Sequence, residues 1–334
     1  MKSVTISDVA KYAGVSKSTV SQFLNKRYEY MSEKTKQQIE SAIKELGYSP
    51  NIVARSLKQK STTTIGVIVA NILHVFSTQV IRAIEDYFNE NSFHVIVCNA
   101  DDNPKKEKEY IKMLRAKQVD GIIVFPTGSN VELYKKLRKE NYPVVFMDRL
   151  VNNVDANTVL LDNEQAVKLA VDHFVEREHE IIGMISPPLK ENITPRIERT
   201  HAFKERLAHH EISINKNSII NTNINEVQDV LKKMFSNDKP PTALLALNDR
   251  VLFEVLSYSK KNNIKIPNEL SIIGIDEVTF AEFYRPALTT VGQPAFAMGK
   301  KAAELLLSEI KNESTNVEKQ IFRFEPTLKI RESS

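Results

Sequence analysis

Short apolar runs alternate with longer amphipathic segments through most of this 334-residue chain. The runs occupy residues 65–69, 94–98, 121–125, 144–147, 181–185, 243–246 and 270–275. Strands that are buried on both faces of a parallel sheet have this composition. Segments of helical length with polar faces lie between them, at residues 80–90, 105–117, 164–176, 226–235 and 251–262. Repeated βαβ units in this number predict an α/β fold with two lobes.

The first 25 residues carry a different pattern, that of two short capped helices. Thr5 can cap a first helix, and Asp8 stands where it can return the bond to the backbone of Thr5. Gly14 ends that helix, and Ser16 can cap a second helix in which Val20 faces inward. Two helices joined by a tight turn are typical of a helix-turn-helix, whose second helix lies in the DNA major groove. An ordinary pair of surface helices is the alternative.

The second helix offers polar side chains of the types that reach base edges and phosphates. Lys17 can donate to guanine O6 and N7, whereas the short Ser18 is more permissive. The candidate DNA contacts in this segment are Thr5, Ser16, Lys17, Ser18, Thr19, Ser21 and Asn25.

The distribution of charge favours DNA over the surface-helix alternative. Residues 1–60 contain eleven Lys and Arg against five Asp and Glu, whereas the other 274 residues contain 35 against 37. A compact basic segment ahead of a nearly neutral body is typical of phosphate binding. A secretion signal is the other basic N-terminal possibility, but no apolar segment follows Lys2 and no stretch approaches 18 apolar residues. We therefore expect a cytoplasmic protein.

A third helix and a short linker follow the helix pair. Ser32 opens a helical pattern that Gly47 closes, which gives a three-helix unit. Pro50 and Asn51 can then start a helix of about two turns, which is marginal alone. Its natural partners are its own copy in a homodimer and the DNA. The predicted domains are therefore 1–48 (helix-turn-helix), 49–61 (hinge helix and linker) and 62–334 (effector-binding and dimerisation).

Motifs spread along almost the whole chain resemble those of LacI/GalR-family transcription regulators. They are Thr5-Ile6, Asp8-Val9-Ala10, Ala13-Gly14-Val15-Ser16, Thr19-Val20-Ser21, Leu24-Asn25, Ala54-Arg55-Ser56-Leu57, Ile65-Gly66, Val119-Asp120-Gly121, Asn248-Asp249, Gly274-Ile275-Asp276 and Pro286-Ala287-Leu288-Thr289-Thr290. The resemblance implies a body similar to periplasmic sugar-binding proteins, with a ligand between its lobes. It also implies that Leu57, beside Arg55 and Lys58, wedges into the minor groove together with its dimer mate. Asn51 joins these three as a candidate DNA contact.

Polar residues follow several of the predicted strands, where open α/β sheets bind ligands. Asp148 follows the fourth run, Asn248 the sixth and Asp276 the seventh. By the resemblance, Phe76 lies on the cleft wall, and Arg199, Asn248 and Asp276 hold the effector. The candidate effector contacts are Phe76, Ser77, Asp148, Arg149, Arg196, Arg199, Asn248 and Asp276. A helix cap is the alternative role for an Asp at a strand end.

Three of these candidates are arginines, which indicates an acidic effector. A guanidinium is a planar fork suited to a carboxylate, and a neutral sugar does not require three of them. Within the family, residues 69–80 and Phe146-Met147-Asp148-Arg149 look like regulators of 2-keto-3-deoxygluconate use. The alternatives are a neutral sugar or nucleobase as effector, with Arg149 or Arg196 in surface ion pairs.

Two other classes of function are disfavoured. A free-standing solute-binding protein would carry an export signal and no basic helix-turn-helix. A nucleotide-dependent enzyme would need a phosphate-cradling glycine loop, but the chain has only nine glycines and no such motif. His173, His179, His209 and His210 lack metal-ligand spacing with Cys or carboxylates. We therefore expect a regulator, most simply a repressor of carbohydrate or sugar-acid catabolism. We expect it to have no catalytic residue, cofactor or metal, and no C-terminal tetramer coil.

Overall fold

The computed structural model describes residues 4–29, 31–49, 61–189, 193–215, 218–312 and 320–334. The chain divides into two compact units, Met1–Thr62 and Thr63–Ser334. Four candidate DNA contacts, Asn51, Arg55, Leu57 and Lys58, lie outside the described residues.

The small unit contains the helices α1 (Ile6–Tyr12), α2 (Lys17–Leu24) and α3 (Glu33–Leu46). Its core is made of Val9, Ala10, Ala13, Val20, Ile39 and Ala42. The predicted caps are present. Ser16 Oγ accepts the Thr19 N–H at 3.1 Å, the Asp8 carboxylate accepts the Thr5 N–H at 2.8 Å, and Gly47 ends α3 with a left-handed φ of 59°. The small unit is thus the predicted three-helix unit.

The large unit consists of alternating strands and helices in two lobes. The first lobe begins with β1 (Thr64–Val69), α4 (Val75–Glu90), β2 (His94–Asn99), α5 (Pro104–Ala116), β3 (Gly121–Val124), α6 (Val131–Lys139), β4 (Val144–Met147) and β5 (Thr158–Leu161). The second lobe contains α7 (Asn163–Glu176), β6 (Ile182–Ser186), α8 (Thr194–His209), β7 (Ile219–Asn221), α9 (Val227–Phe235), β8 (Ala243–Ala246), α10 (Asp249–Lys261), β9 (Ser271–Ile275) and β10 (Thr289–Gly292). The C-terminal part adds α11 (Ala295–Ile310), β11 (Ile321–Phe324) and β12 (Thr327–Lys329).

Each lobe is built on a six-stranded sheet. The first sheet has the order β11-β5-β4-β3-β1-β2, and the second has the order β12-β10-β9-β8-β6-β7. Every pair is parallel except β10 with β12. The chain passes from the first lobe to the second after β5, returns through α11 and β11, and ends in the second sheet with β12. Three crossings therefore join the lobes, and the carboxyl ends of both sheets supply the residues of one cleft.

All seven apolar runs are strands, but one expectation about them is wrong. Strand β2 is not buried on both faces, because it lies at the edge of its sheet and leaves Val97 exposed. The structure also contains strands that the runs did not indicate, such as β5 and β10, and the unpredicted helices α6 and α8. Among the helices described, none is long and apolar enough to cross a membrane.

Candidate functional site

A cleft enclosing about 590 Å³, part of it open to solvent, lies between the two lobes. All eight candidate effector contacts line it, namely Phe76, Ser77, Asp148, Arg149, Arg196, Arg199, Asn248 and Asp276. The first lobe supplies residues that follow β1 and β4, and the second lobe supplies the start of α8 and residues that follow β8 and β9. The structure therefore gathers residues that are up to 200 positions apart in the sequence.

Arg199 is buried and lines this cleft. Helix α8 carries it, and its Nε donates to Asn163 Oδ1 at 2.7 Å while Nη1 donates to the carbonyl oxygen of Leu247 at 2.8 Å. Burial lowers the pKa of the guanidinium, whereas the charges of Asp276 and Asp148 raise it. The two hydrogen bonds hold the guanidinium plane in place before any ligand arrives.

Asp276 lies at the end of β9 and is buried beside this arginine. Its Oδ2 accepts the Asp249 N–H at 3.2 Å, and its Oδ1 accepts a hydrogen bond from Gln293 Nε2 at 2.5 Å. Burial and the charge of Asp249 raise the pKa of Asp276 to about 6, against the opposing effect of Arg199. Its φ of 92° turns the chain sharply after the strand. Asp276 therefore presents a carboxylate whose charge depends on its neighbours.

Asn248 both caps a helix and lines the cleft. It is the N-cap of α10, and its Oδ1 accepts the Val251 N–H at 2.9 Å. Its Oδ1 thus caps the helix, while the same side chain lines the cleft, where its Nδ2 is a potential donor to a ligand.

The other two arginines share one carboxylate. Arg149 Nη2 lies 2.9 Å from Asp102 Oδ1, and Arg196 Nη2 lies 3.4 Å from Asp102 Oδ2. Backbone oxygens hold them further: Arg149 Nη1 donates to Pro126 at 3.0 Å, and Arg196 Nη1 donates to Pro188 at 3.1 Å. The surface ion-pair alternative is wrong for Arg149, because its ion pair with Asp102 is made by a buried guanidinium that lines the cleft.

The sequence interpretation missed Asp102 and Gln293. Asp102 follows the second apolar run, so the strand-end signal was available, and the side chain completes the ion pairs of Arg149 and Arg196. Gln293 follows β10, which no apolar run indicated, so its position beside Asp276 had no equivalent signal.

An ion pair between His74 and Asp249 joins the two lobes across the cleft. His74 Nδ1 lies 2.5 Å from Asp249 Oδ1, and the Val75 N–H donates to Asp249 Oδ2 at 2.8 Å. Burial alone would lower the pKa of His74, but its hydrogen bond to Asp249 and nearby carboxylate charges raise it overall. The same contact lowers the pKa of Asp249, although burial opposes this. This pair therefore favours the observed approach of the lobes.

His74, Asp249 and Asp276 each place one potential metal-ligand atom within 4.8 Å of the others. The hydrogen bonds just described already engage His74 Nδ1 and all four carboxylate oxygens. These three residues therefore form a network of hydrogen bonds and ion pairs between the lobes.

An aromatic wall closes the side of the cleft next to β1. The rings of Phe76 and Phe125 meet edge to face, with centroids 6.3 Å apart. Ser77 is buried on the first turn of α4 beside Phe76. This wall can pack against the apolar face of a sugar ring or against a planar ring.

In the separate small unit, the start of α2 presents polar side chains to solvent. Lys17 and Ser18 are exposed, whereas the Ser16 hydroxyl is within 2.8 Å of the Thr19 hydroxyl. The candidates Ser21 and Asn25 are joined at the end of α2, where Asn25 Nδ2 donates to the Ser21 carbonyl oxygen at 2.8 Å. The hydroxyl of Thr5 donates to Asp8 at 2.7 Å. The Ser18 hydroxyl lies 2.6 Å from the Ser16 hydroxyl, so Lys17 is the most available of the described candidates.

Two family models match this chain. Residues 5–51 match bacterial regulatory proteins of the lacI family, and residues 171–334 match a periplasmic binding protein-like domain. The probable HTH-type transcriptional regulator EndR of Paenibacillus polymyxa is 49% identical over 332 residues, which are 98% of each chain. The HTH-type transcriptional repressor PurR of Vibrio parahaemolyticus is 35% identical over 98% of this chain and 97% of its own length.

Solved structures show the same architecture. The Lac repressor dimer bound to operator and the anti-inducer ONPF has a TM-score of 0.87 at 24% identity, with 99% of each chain covered. The complex of the regulator CelR with cellobiose has a TM-score of 0.73 at 23% identity, covering 99% of this chain and 100% of that one. LacI-family proteins are transcriptional regulators rather than enzymes, bind operator DNA and small-molecule effectors, and act as dimers. With its helix-turn-helix and two-lobed α/β body, this chain belongs to the LacI family of bacterial transcriptional regulators.

Proposed function

We propose that this regulator is a cytoplasmic repressor of carbohydrate or sugar-acid catabolism whose affinity for a palindromic operator is set by an acidic sugar derivative in the cleft. The observation that carries the proposal is the arrangement of its three arginines. Arg149 and Arg196 share the carboxylate of Asp102, Arg149 Nε also lies 3.7 Å from Asp148 Oδ2, and Arg199 donates only to neutral oxygens. Because its described hydrogen-bond partners are neutral oxygens, the Arg199 guanidinium can bind one anionic group of a ligand.

Sugar hydroxyls account for the remaining polar groups. Asp148 and Asp276 can accept hydrogen bonds from hydroxyls, and Asn248 Nδ2 can donate to one. Phe76 and Phe125 supply an apolar face for the ring. An acid that also carries several hydroxyls, such as 2-keto-3-deoxygluconate, matches this combination of donors, acceptors and apolar surface.

A neutral sugar or a nucleobase is the second candidate, and the position of Asp102 favours it. Because Asp102 pairs with both Arg149 and Arg196, two of the guanidiniums have an anionic partner without any ligand. The structural relative CelR is in complex with the neutral sugar cellobiose.

Control of DNA binding follows from the cleft lying between two lobes. A ligand that touches Phe76 and Asp148 on one lobe and Arg199 and Asp276 on the other binds one lobe orientation better than another. That difference in affinity is the coupling free energy between the cleft and the operator. The same residues serve induction and co-repression, so the sign of the response is a matter for measurement.

The regulator binds the operator as a homodimer. Two copies of the segment containing Asn51, Arg55, Leu57 and Lys58 meet over the minor groove in one lobe orientation, where paired Leu57 side chains open a base step. The α2 helices of the two copies read half-sites in adjacent major grooves through Thr5, Ser16, Lys17, Ser18, Thr19, Ser21 and Asn25.

Titration calorimetry of the full chain with 2-keto-3-deoxygluconate, glucose and adenine tests the effector class. We expect binding of the acid alone, and loss of that binding in Arg199→Met. Binding of glucose or adenine without binding of the acid would discard the acidic effector and leave the regulator assignment intact.

A further inference from the structure

Asp102 lines the part-exposed mouth of the cleft, where its carboxylate contacts one guanidinium of each lobe. Asp102 follows β2 and Arg149 follows β4 in the first lobe, whereas Arg196 lies on the first turn of α8 in the second lobe. The Asp102 Oδ1 atom lies 2.9 Å from Arg149 Nη2, and its Oδ2 atom lies 3.4 Å from Arg196 Nη2. Each oxygen of this carboxylate therefore faces a different guanidinium.

The backbone around Asp102 holds this carboxylate in place. The Asp102 N–H donates to the carbonyl oxygen of Ala70 at 2.6 Å, directly after β1. The next residue, Asn103, is the N-cap of α5, and its Oδ1 accepts the Lys105 N–H at 2.9 Å. Asp102 is thus fixed between the end of one strand and the start of a helix, and its carboxylate is a built-in part of the site.

The two arginines that contact Asp102 have little capacity left for a ligand. Arg149 Nη1 and Arg196 Nη1 each donate to a backbone carbonyl oxygen. Arg149 Nε lies 3.7 Å from the carboxylate of Asp148. An anionic group that approaches Arg149 therefore meets the carboxylate of Asp102 or Asp148, and like charges repel strongly in a partly buried site.

Arg199 differs from both, because its described partners are the neutral oxygens of Asn163 and Leu247. Of the three arginines, two thus share an internal carboxylate and one has neutral partners. We propose that Asp102 limits the effector to a single anionic group. That group binds Arg199, and the Asp102 carboxylate excludes a second one from Arg149 and Arg196. This inference rests on the proposed acidic effector and deepens it.

2-Keto-3-deoxygluconate and its 6-phosphate test this limit, because they differ by one anionic group. Calorimetry of the full-length wild-type protein should show at least about tenfold tighter binding of the unphosphorylated acid, since a second anion beside Asp102 is repelled. In Asp102→Asn, the ratio of the two affinities should shift at least about tenfold towards the phosphate. Asparagine and aspartate have nearly the same size, so this shift reports charge rather than space.

Asp101→Asn is the matched control. It removes the same charge one residue earlier, from a carboxylate that pairs with Lys106 and Asn99 rather than with the arginines. The ratio of affinities in this variant should equal that of wild type. Adding Arg196→Gln to Asp102→Asn should cancel most of the shift, because the second anionic group then loses one of its two guanidiniums.

The outcomes separate this inference from the proposed effector class. Equal binding of the two acids by wild type would overturn the limit and keep the acidic effector, and this comparison needs no variant to fold. An unchanged ratio in Asp102→Asn, or an equal shift in Asp101→Asn, would also overturn the role of Asp102 alone. Binding of neither acid by wild type would overturn the acidic effector and the limit with it.

Discussion

Replacing Arg199 with Met tests the cleft at its most constrained residue. The methionine fills similar space but removes the hydrogen bonds from Nε to Asn163 and from Nη1 to Leu247, and it removes the positive charge. Leaving these two buried oxygens without a donor costs about 1–3 kcal/mol each. Release from burying a guanidinium offsets part of that cost. We expect a net loss of about 2 kcal/mol in the free energy of unfolding, measured by urea denaturation.

Arg199→Met should also weaken effector binding. A charge-assisted hydrogen bond contributes about 1.5–3 kcal/mol, so losing the one from Arg199 to the ligand weakens effector binding about 10- to 150-fold. The pKa of Asp276 should rise above its value of about 6, because Arg199 is the neighbour that lowers it most. A larger fraction of Asp276 is then protonated at pH 7. Operator binding without effector should remain within about threefold of wild type, since the small unit is unchanged.

Arg206→Met is the matched control, because Arg206 lies two turns further along α8 and pairs with Asp172 outside the cleft. Titration calorimetry measures effector affinity and fluorescence anisotropy measures operator affinity. An Arg199→Met variant that folds and responds to effector at wild-type concentrations would refute the assignment of the cleft.

Three further predictions follow from the same structure. Lys17→Ala should weaken operator binding about tenfold and relax base preference at one position per half-site, whereas the exposed Lys44→Ala on α3 should not, in competition assays with single-base variants. The stability that the His74–Asp249 pair contributes should be fully present below the usual His pKa of 6.5 and should decline as pH rises through the raised pKa of His74. Thermal denaturation between pH 7 and 9 should show this decline in wild type but not in Asp249→Asn, and equal slopes would argue against the pair. Gly299→Ala should cost about 2 kcal/mol in urea denaturation, because a Cβ there would lie 2.8 Å from a backbone oxygen of α4, and an unchanged midpoint would contradict this packing.

Local signals in the sequence were sufficient for the small unit and for the seven strands that the apolar runs indicate. The cap residues Ser16 and Ser32 each accept a hydrogen bond from the backbone N–H three residues later, so both partners of each bond lie close together in the sequence. Buried parallel strands are also recognisable locally, because they are short and apolar. Strand β2 is less buried than its apolar sequence predicts, because the sheet order places it at an edge. Sheet order depends on long-range packing and could not be predicted from any one run.

The position of the cleft could be predicted from the sequence, but the ion pairs between its side chains could not. Asp148, Asn248 and Asp276 were found because they follow recognisable strands. The sharing of Asp102 by two arginines joins residues 47 and 94 positions apart, and nothing local to any of the three indicates it. The contact between His74 and Asp249 likewise depends on how the lobes approach each other.

Operator selection with and without an acid most directly tests the claim that the cleft controls DNA binding. Purified protein is bound to a fluorescent library of palindromic duplexes, in the absence and presence of 2-keto-3-deoxygluconate, in parallel with Arg199→Met. The account predicts sequence-selective binding by both proteins, with an affinity that the acid changes at least about tenfold in wild type and not in the variant. Selective binding that is indifferent to the acid would contradict the proposed effector, and an equal response in the variant would contradict the role of the cleft.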